Sequence, residues 1–71
     1  MSERTILRRL SRRERQALVH LSHGLRPKEA AQVLGISPYT FKDHTESARF
    51  KLGALTNAHA VAIAIKAGLL T

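Results

Sequence analysis

Residues 27–53 read PKEAAQVLGISPYTFKDHTESARFKLG, and this stretch decides the fold. It contains two runs of helix-forming residues separated only by Gly35, Ile36 and Ser37, and the second run opens at Pro38. Glycine commonly ends a helix in the left-handed conformation, whereas serine followed by proline commonly begins one. Two short helices joined by a tight turn with a glycine are typical of a helix-turn-helix, although an ordinary helical hairpin has the same spacing.

Glycines divide the rest of the chain in the same way. A stretch of helix formers ends at each of the four glycines, Gly24, Gly35, Gly53 and Gly68. The first helix has a clear start, because Ser11 and Glu14 fit a capping box, and Thr56 is a suitable cap for the last. No strand pattern interrupts these helices. The sequence therefore predicts an all-α protein, a four-helix bundle containing a helix-turn-helix, with the third helix at about residues 38–52 and the fourth at about 57–67.

The apolar residues predict the inner faces of the central helices. On the third helix Phe41, Ala48 and Leu52 share one face, Thr45 interrupts it with a polar group, and Phe50 falls on the opposite side. The apolar side of the second helix is predicted to consist of Ala30, Ala31, Val33 and Leu34.

The chain carries a net charge of +7 in 71 residues, and eight of its twelve lysines and arginines lie in the first 28 residues. Residues 1–9 are expected to form a basic arm, with Ile6, Leu7 and Leu10 folding back on the core. Such an excess of positive charge favours a polyanion as partner, although a basic surface can also simply keep a protein soluble. Together with the spacing of the central helices, the charge favours double-stranded DNA and a DNA-binding helix-turn-helix.

Size and composition argue against an enzyme. A chain of 71 residues buries too small a core for a deep cleft, and it has no cysteine for a disulfide or a thiolate metal site. His20 and His23 lie three apart on one helix, but no carboxylate or cysteine completes a metal site with them. No apolar run approaches the length of a membrane span, and no signal peptide is evident. We therefore expect a cytoplasmic protein with no enzyme activity, cofactor, metal or membrane partner.

Several short segments stand in an order and spacing shared with a known family. They are residues 10–15 (LSRRER), 28–37 (KEAAQVLGIS), 40–44 (TFKDH), 51–54 (KLGA) and 67–70 (AGLL). Over about residues 10–70 the chain resembles the LuxR/GerE-type DNA-binding domain of bacterial transcriptional regulators. The resemblance implies one domain at residues 10–71, whose third helix is the recognition helix and enters the major groove.

The resemblance also implies which residues read base edges, namely Lys42, Asp43 and Glu46. A lysine can donate to guanine O6 or N7, and a carboxylate can accept from cytosine N4. The alternative is that both acids face solvent, with Glu46 paired to Lys42 or Arg49 at helical spacing.

Phosphate contacts supply affinity but little sequence information. The candidates are basic and hydroxyl side chains on or near the second and third helices, namely Arg26, Lys28, Ser37, Thr40, Arg49 and Lys51. The resemblance favours the hydroxyls of Ser37 and Thr40 in particular. The basic arm is a further candidate for the backbone or the minor groove.

The last helix is apolar almost all the way round, since residues 58–65 read AHAVAIAI. Such a helix favours burial on both sides, either within a monomer or against a partner. The resemblance implies a homodimer contact here, with the candidates Ala58, Ala62, Ile63, Ile65 and Lys66. Alanines bury little area, so we expect a weak dimer. Asn57 departs from the family, which usually has a basic residue near the start of this helix.

The resemblance as a whole implies a sequence-specific transcriptional regulator that binds a palindromic operator as a dimer, with RNA polymerase as a further candidate partner. Two alternatives stay open. One is a protein-interaction module that sequesters a related regulator. The other is the promoter-binding domain of a sigma factor, which has similar segments but lacks a fourth helix of this form after Gly53. The chain fits either a stand-alone regulator or the DNA-binding part of a longer one.

Overall fold

The computed structural model describes residues 9–68, which form four α-helices and no strand. The helices are α1 (Arg12–Ser22), α2 (Pro27–Leu34), α3 (Pro38–Leu52) and α4 (Asn57–Lys66). The predicted all-α fold with a helix-turn-helix is therefore confirmed. Within residues 9–68, no helix combines the length and the apolar character needed to cross a membrane. Most of the predicted basic arm, including Ile6 and Leu7, lies outside the described residues.

Polar side chains begin the first and last helices by bonding the free N–H groups of the first turn. The Ser11 hydroxyl accepts from the Glu14 N–H at 3.1 Å, and the Glu14 carboxylate accepts from the Ser11 N–H at 2.7 Å. At α4 the Thr56 hydroxyl accepts from the His59 N–H at 3.0 Å. Each cap satisfies backbone groups that would otherwise lack partners, so the predicted helix starts are confirmed.

The turn between α2 and α3 depends on a glycine in the left-handed region. Gly35 has φ 70° and ψ 30°, and its N–H donates to the carbonyl of Gln32 at 3.1 Å. The next N–H, that of Ile36, donates to the Ala31 carbonyl at 3.0 Å. These bonds end α2 within one residue, and residues with a Cβ rarely adopt this conformation. The chain therefore reverses within three residues and starts α3 at Pro38.

The core consists of two clusters that share α1 and α3. The first, here called the Leu10 cluster, joins α1, α3 and α4 and contains Leu10, Leu18, Ala48, Leu52, Ala60 and Ala64. The second, here called the Phe41 cluster, joins α1, α2 and α3 and contains Ala17, Ala30, Ala31 and Phe41. Alanines make up half of the first set and three of the four residues of the second, so the helix backbones approach closely around a few large side chains. Since α1 and α3 enter both clusters, their inner faces point towards each other.

The inner face predicted for α3 is confirmed. Phe41, Ala48 and Leu52 are buried, and so is the polar Thr45 between them. The Thr45 hydroxyl donates to the Lys42 carbonyl at 2.9 Å, within its own helix. This bond satisfies the hydroxyl locally, so a threonine can occupy a core position.

Two other expectations about the core had different outcomes. Leu10 is buried and joins the first cluster, as predicted. Val33 is 62% exposed, so the prediction that it belongs to the inner side of α2 was wrong. Helix α2 turns Ala30, Ala31 and Leu34 towards α3, and at 100° per residue Val33 lies to the side of that face.

One buried ion pair connects α1 with the far end of α3. The carboxylate oxygen of Glu14 that accepts from Ser11 also accepts from the Lys51 ammonium at 2.8 Å. Burial alone raises the pKa of the Glu14 carboxyl. Hydrogen bonds from Lys51, Ser47 and the Ser11 backbone, with the charge of Lys51, outweigh this effect and lower the pKa from 4.5 to about 2.

This pKa predicts a specific loss of stability in acid. A carboxyl whose pKa is lower in the folded than in the unfolded state stabilises the fold at pH values above its unfolded-state pKa. That contribution is lost as the pH falls through the folded-state pKa. A pKa shift of Glu14 from 4.5 to about 2 corresponds to about 3 kcal/mol. We expect the free energy of unfolding to decrease between about pH 4.5 and about pH 2, as measured by urea unfolding with circular dichroism.

Two variants separate this pair from the other acids. Glu14→Gln should be less stable at neutral pH and should lack this part of the acid loss. Glu46→Gln removes a carboxylate whose side chain is 49% exposed, and it should retain the loss. If the free energy of unfolding fell equally in acid for Glu14→Gln and the wild-type chain, the loss could not be attributed to Glu14.

Candidate nucleic-acid interface

The start of α3 holds two hydroxyl groups in a fixed arrangement. The Ser37 hydroxyl accepts from the Thr40 N–H at 3.0 Å and donates to the Thr40 hydroxyl oxygen at 2.9 Å. The proton of Ser37 is thereby used, whereas the Thr40 hydroxyl proton has no acceptor among residues 9–68. Helix N-termini attract anions, so the Thr40 hydroxyl is suitably placed to donate to a phosphate oxygen.

The outward side of α3 is exposed over its whole length. Lys42, Asp43 and Glu46, the three predicted base-reading residues, all lie on it. Tyr39 at one end is 74% exposed and Phe50 at the other is 87% exposed. Because the opposite side of the helix is buried in both core clusters, this side is the surface that α3 can offer to a partner.

Phe50 is a residue of this surface that the sequence-based site set does not include. It lies four residues after Glu46 and opposite Phe41 on the helix, so it follows Tyr39, Asp43 and Glu46 along one side. The sequence indicated this position, since a large aromatic residue opposite the core side of a helix has to face solvent or a partner.

Glu46 lies between two cations on the exposed side. Its carboxylate oxygen is 3.9 Å from the Lys42 ammonium and 3.9 Å from an Arg49 guanidinium nitrogen. Exposed pairs at this distance contribute little stability, but they cancel charge on the surface. Asp43 forms no ion pair or hydrogen bond with any residue in the described part of the chain. The reading surface of α3 is therefore nearly neutral.

The arginines and the lysine at three of the predicted phosphate contacts differ in how exposed their side chains are. Arg26 and Lys28 are exposed at the start of α2, where the Arg26 N–H donates to the Glu29 carboxylate at 2.9 Å. Arg49 is more restricted, with 30% of its side chain exposed and a buried Nε that has no acceptor within residues 9–68.

Lys51 has a structural role that the sequence-based reasoning missed. Its ammonium lies 2.8 Å from the Glu14 carboxylate and 3.2 Å from the Arg9 carbonyl, and 32% of its side chain is exposed. Moving it to a phosphate would leave the Glu14 carboxylate buried without its cation, which is costly. We therefore leave Lys51 out of the proposed phosphate contacts.

The outer side of α4 carries most of the predicted dimer residues. Ala58, Ala62 and Lys66 are exposed, and Ile65 is 49% exposed. Ile63 is half-buried and packs against the Leu10 cluster, so the monomer core already uses much of its surface.

Leu55 is a further exposed apolar residue, just before the start of α4, and was missing from the predicted set. It is 84% exposed and precedes Ala58 by three residues. It precedes the first residue of α4, so the helical spacing that places Ala58, Ala62 and Ile65 on one side of the helix does not extend to it.

Residues 9–68 contain no cluster of three or more side chains able to hold a metal ion. His20 is half-buried and His23 is exposed, both near the end of α1. Neither residue contributes to the surface of α3.

The tight turn, the paired hydroxyls and the exposed polar side of α3 define a DNA-binding domain of the helix-turn-helix class. The sequence model of the family described as bacterial regulatory proteins, luxR family, matches residues 8–64. The chain belongs to this family of DNA-binding transcription regulators, so the predicted resemblance is confirmed. The presence of α4 agrees with this family and removes support from the sigma-factor alternative.

One curated relative gives a measure of similarity. The chain is 40% identical over 58 residues to the transcriptional activator protein BjaR1 of Bradyrhizobium diazoefficiens. The match covers 82% of this chain and 24% of that protein, so the chain corresponds to a minor part of its relative. No solved structure matches the chain.

The position of Glu46 generates a prediction about charge. Glu46→Gln should raise the affinity for a non-specific duplex about three- to tenfold at low salt, because a carboxylate near the phosphates is removed. Glu29→Gln makes the same charge change at the start of α2, where glutamine can still close the cap. Fluorescence anisotropy titrations of both variants should show a smaller gain for Glu29→Gln. An unchanged affinity in Glu46→Gln would place Glu46 away from the DNA.

Proposed function

We propose that this chain is the sequence-specific DNA-binding domain of a bacterial transcription regulator, and that it binds a palindromic operator as a weak homodimer. In this proposal α3 enters the major groove, and the protein acts in the cytoplasm, with RNA polymerase as a further partner. The observation that carries the proposal is the exposed side of α3, which offers Lys42, Asp43 and Glu46 opposite a fully buried Phe41.

The side chains of α3 suit direct reading of bases. Lys42 has an exposed ammonium, with 70% of its side chain accessible, that can donate to guanine O6 or N7. Asp43 has no internal partner within residues 9–68, so its carboxylate is available to accept from cytosine N4. An acid in this position also repels phosphates and mismatched acceptors, and this repulsion contributes to specificity rather than to affinity.

Affinity comes from the surroundings of α3 rather than from its reading side. Arg26 and Lys28 are exposed at the start of α2, and the hydroxyls of Ser37 and Thr40 lie at the start of α3. These groups suit phosphate oxygens on either side of the groove. A nearly neutral reading helix with basic flanks favours binding that is strong only where the bases match.

The outer stripe of α4 supports the dimer. Ala58, Ala62 and Ile65 form an apolar surface on α4 without a partner within residues 9–68, and the exposed Leu55 lies just before the helix. Two copies packed through this stripe around a two-fold axis would present two α3 helices to a palindromic site. The small alanine side chains bury little area, so the contact is weak unless DNA holds both copies.

Selection of bound duplexes from a random pool, followed by titration at several salt concentrations, tests the DNA-binding proposal. We expect an enriched palindrome and an affinity that falls steeply as salt rises. Lys42→Ala should weaken binding to the selected duplex by about 1–3 kcal/mol and relax the preference at one base pair. Lys28→Ala, at a proposed phosphate contact, should weaken selected and scrambled duplexes about equally.

No duplex binding at low salt would overturn the proposal and favour a module that binds another protein. An equal effect of Lys42→Ala on all sequences would make Lys42 a phosphate contact and remove it from the base-reading set.

Ala62→Asp tests the dimer. A carboxylate on the outer stripe should abolish the extra affinity of a palindromic duplex over a single half-site, because two like charges would meet at the two-fold axis. Val33→Asp introduces the same charge at an exposed apolar residue of α2 and should preserve the ratio of the two affinities. An unchanged ratio in Ala62→Asp would exclude the α4 stripe as the dimer contact.

A further inference from the structure

The outward side of α1 forms an open groove that the proposed DNA contacts do not use. The groove has a volume of about 440 Å³ and is lined by Arg12, Arg15, Gln16, Val19 and His20. These residues recur at helical spacing over about two turns, so they lie on one side of α1. The groove combines two guanidinium groups with an apolar centre.

The positive charge of this side is not compensated by the described part of the chain. Arg12 and Arg15 are exposed and form no ion pair with any residue of that part. Glu14, the acid of α1, is buried on the opposite side of the helix, where its charge is balanced by Lys51. A partner at the groove therefore meets the arginines without competition from a carboxylate of residues 9–68.

The groove faces away from the proposed DNA surface. On α1, Ala17 and Leu18 lie in the same two core clusters as Phe41 and Ala48 of α3. Since the inner faces of the two helices point towards each other, their outer faces point in opposite directions. The outer side of α3 and the groove on α1 therefore lie on opposite sides of this helix pair.

We propose that this groove binds an acidic, amphipathic helical segment of a protein partner. The planar guanidinium of arginine forms paired hydrogen bonds with a carboxylate, and Arg12 and Arg15 lie one turn apart. Glutamates one turn apart on a partner helix would match this spacing. Val19, together with the aliphatic parts of the arginine side chains, gives an apolar residue of the segment a surface to pack on. Carboxylates with an apolar neighbour fit this combination better than phosphates, which carry no apolar group.

A designed peptide tests the proposal with the full chain. The probe is a fluorescently labelled helical peptide with glutamates one turn apart beside a leucine stripe, and the control peptide has the same composition in scrambled order. We expect the helical peptide to bind more tightly than the scrambled one. The double variant Arg12→Glu, Arg15→Glu should weaken its binding about tenfold or more, as measured by anisotropy. Glutamate is favourable in the first turn of a helix, so the variant should keep its fold, which circular dichroism checks.

A second double variant with the same change of charge distinguishes binding at the α1 groove from attraction by the overall positive charge of the domain. Arg26→Glu, Lys28→Glu should weaken duplex binding strongly and peptide binding much less, whereas the α1 variant should show the reverse. Equal losses of peptide binding in both variants, or equal binding of the scrambled peptide, would overturn the proposal. A larger loss of duplex than of peptide binding in the α1 variant would also overturn it and make the groove a DNA contact. The proposed function can fail in duplex titrations while the peptide result stands, and the reverse also holds.

Discussion

A single carboxylate oxygen on Glu14 joins the start of α1 to the end of α3. It accepts from the Ser11 N–H at 2.7 Å and from the Lys51 ammonium at 2.8 Å. The first bond closes the cap of α1, and the second fixes the last turn of α3 against it. Because the core is built mainly from small alanines, few large side chains restrain how these helices slide past each other. The ion pair therefore contributes strongly to the orientation of α3, on which any reading of DNA depends.

The same ion pair shapes the distribution of charge over the domain. It neutralises Lys51 at the edge of the core, while Glu46 partly neutralises Lys42 and Arg49. Exposed cations then lie beside α3, at the start of α2, and also on the outward side of α1. A protein arranged in this way can bind DNA with one surface while another basic surface stays available for an acidic partner.

Local features were predictable from the sequence, and distant contacts were not. The cap at Ser11 and the turn at Gly35 depend on residues within a few positions, so the sequence defines them almost completely. The pairing of Lys51 with Glu14 spans 37 residues and exists only once α1 and α3 have packed. Val33 was misplaced because an eight-residue helix makes little more than two turns, and its apolar pattern leaves the inner face poorly defined.

In the proposed dimer, the small area of the α4 stripe has a consequence for how an operator would be recognised. Ala58 and Ala62 let two helices approach closely, but they remove little apolar surface from water, and Ile63 is already partly used by the monomer core. Free copies therefore gain little by pairing. Two copies bound to half-sites on one duplex are held close together, so each has a high local concentration around the other. A weak contact between them then adds affinity only when the half-sites have the right spacing. A weak contact in the proposed dimer would thus make half-site spacing part of the recognised sequence, alongside the bases that α3 is proposed to read.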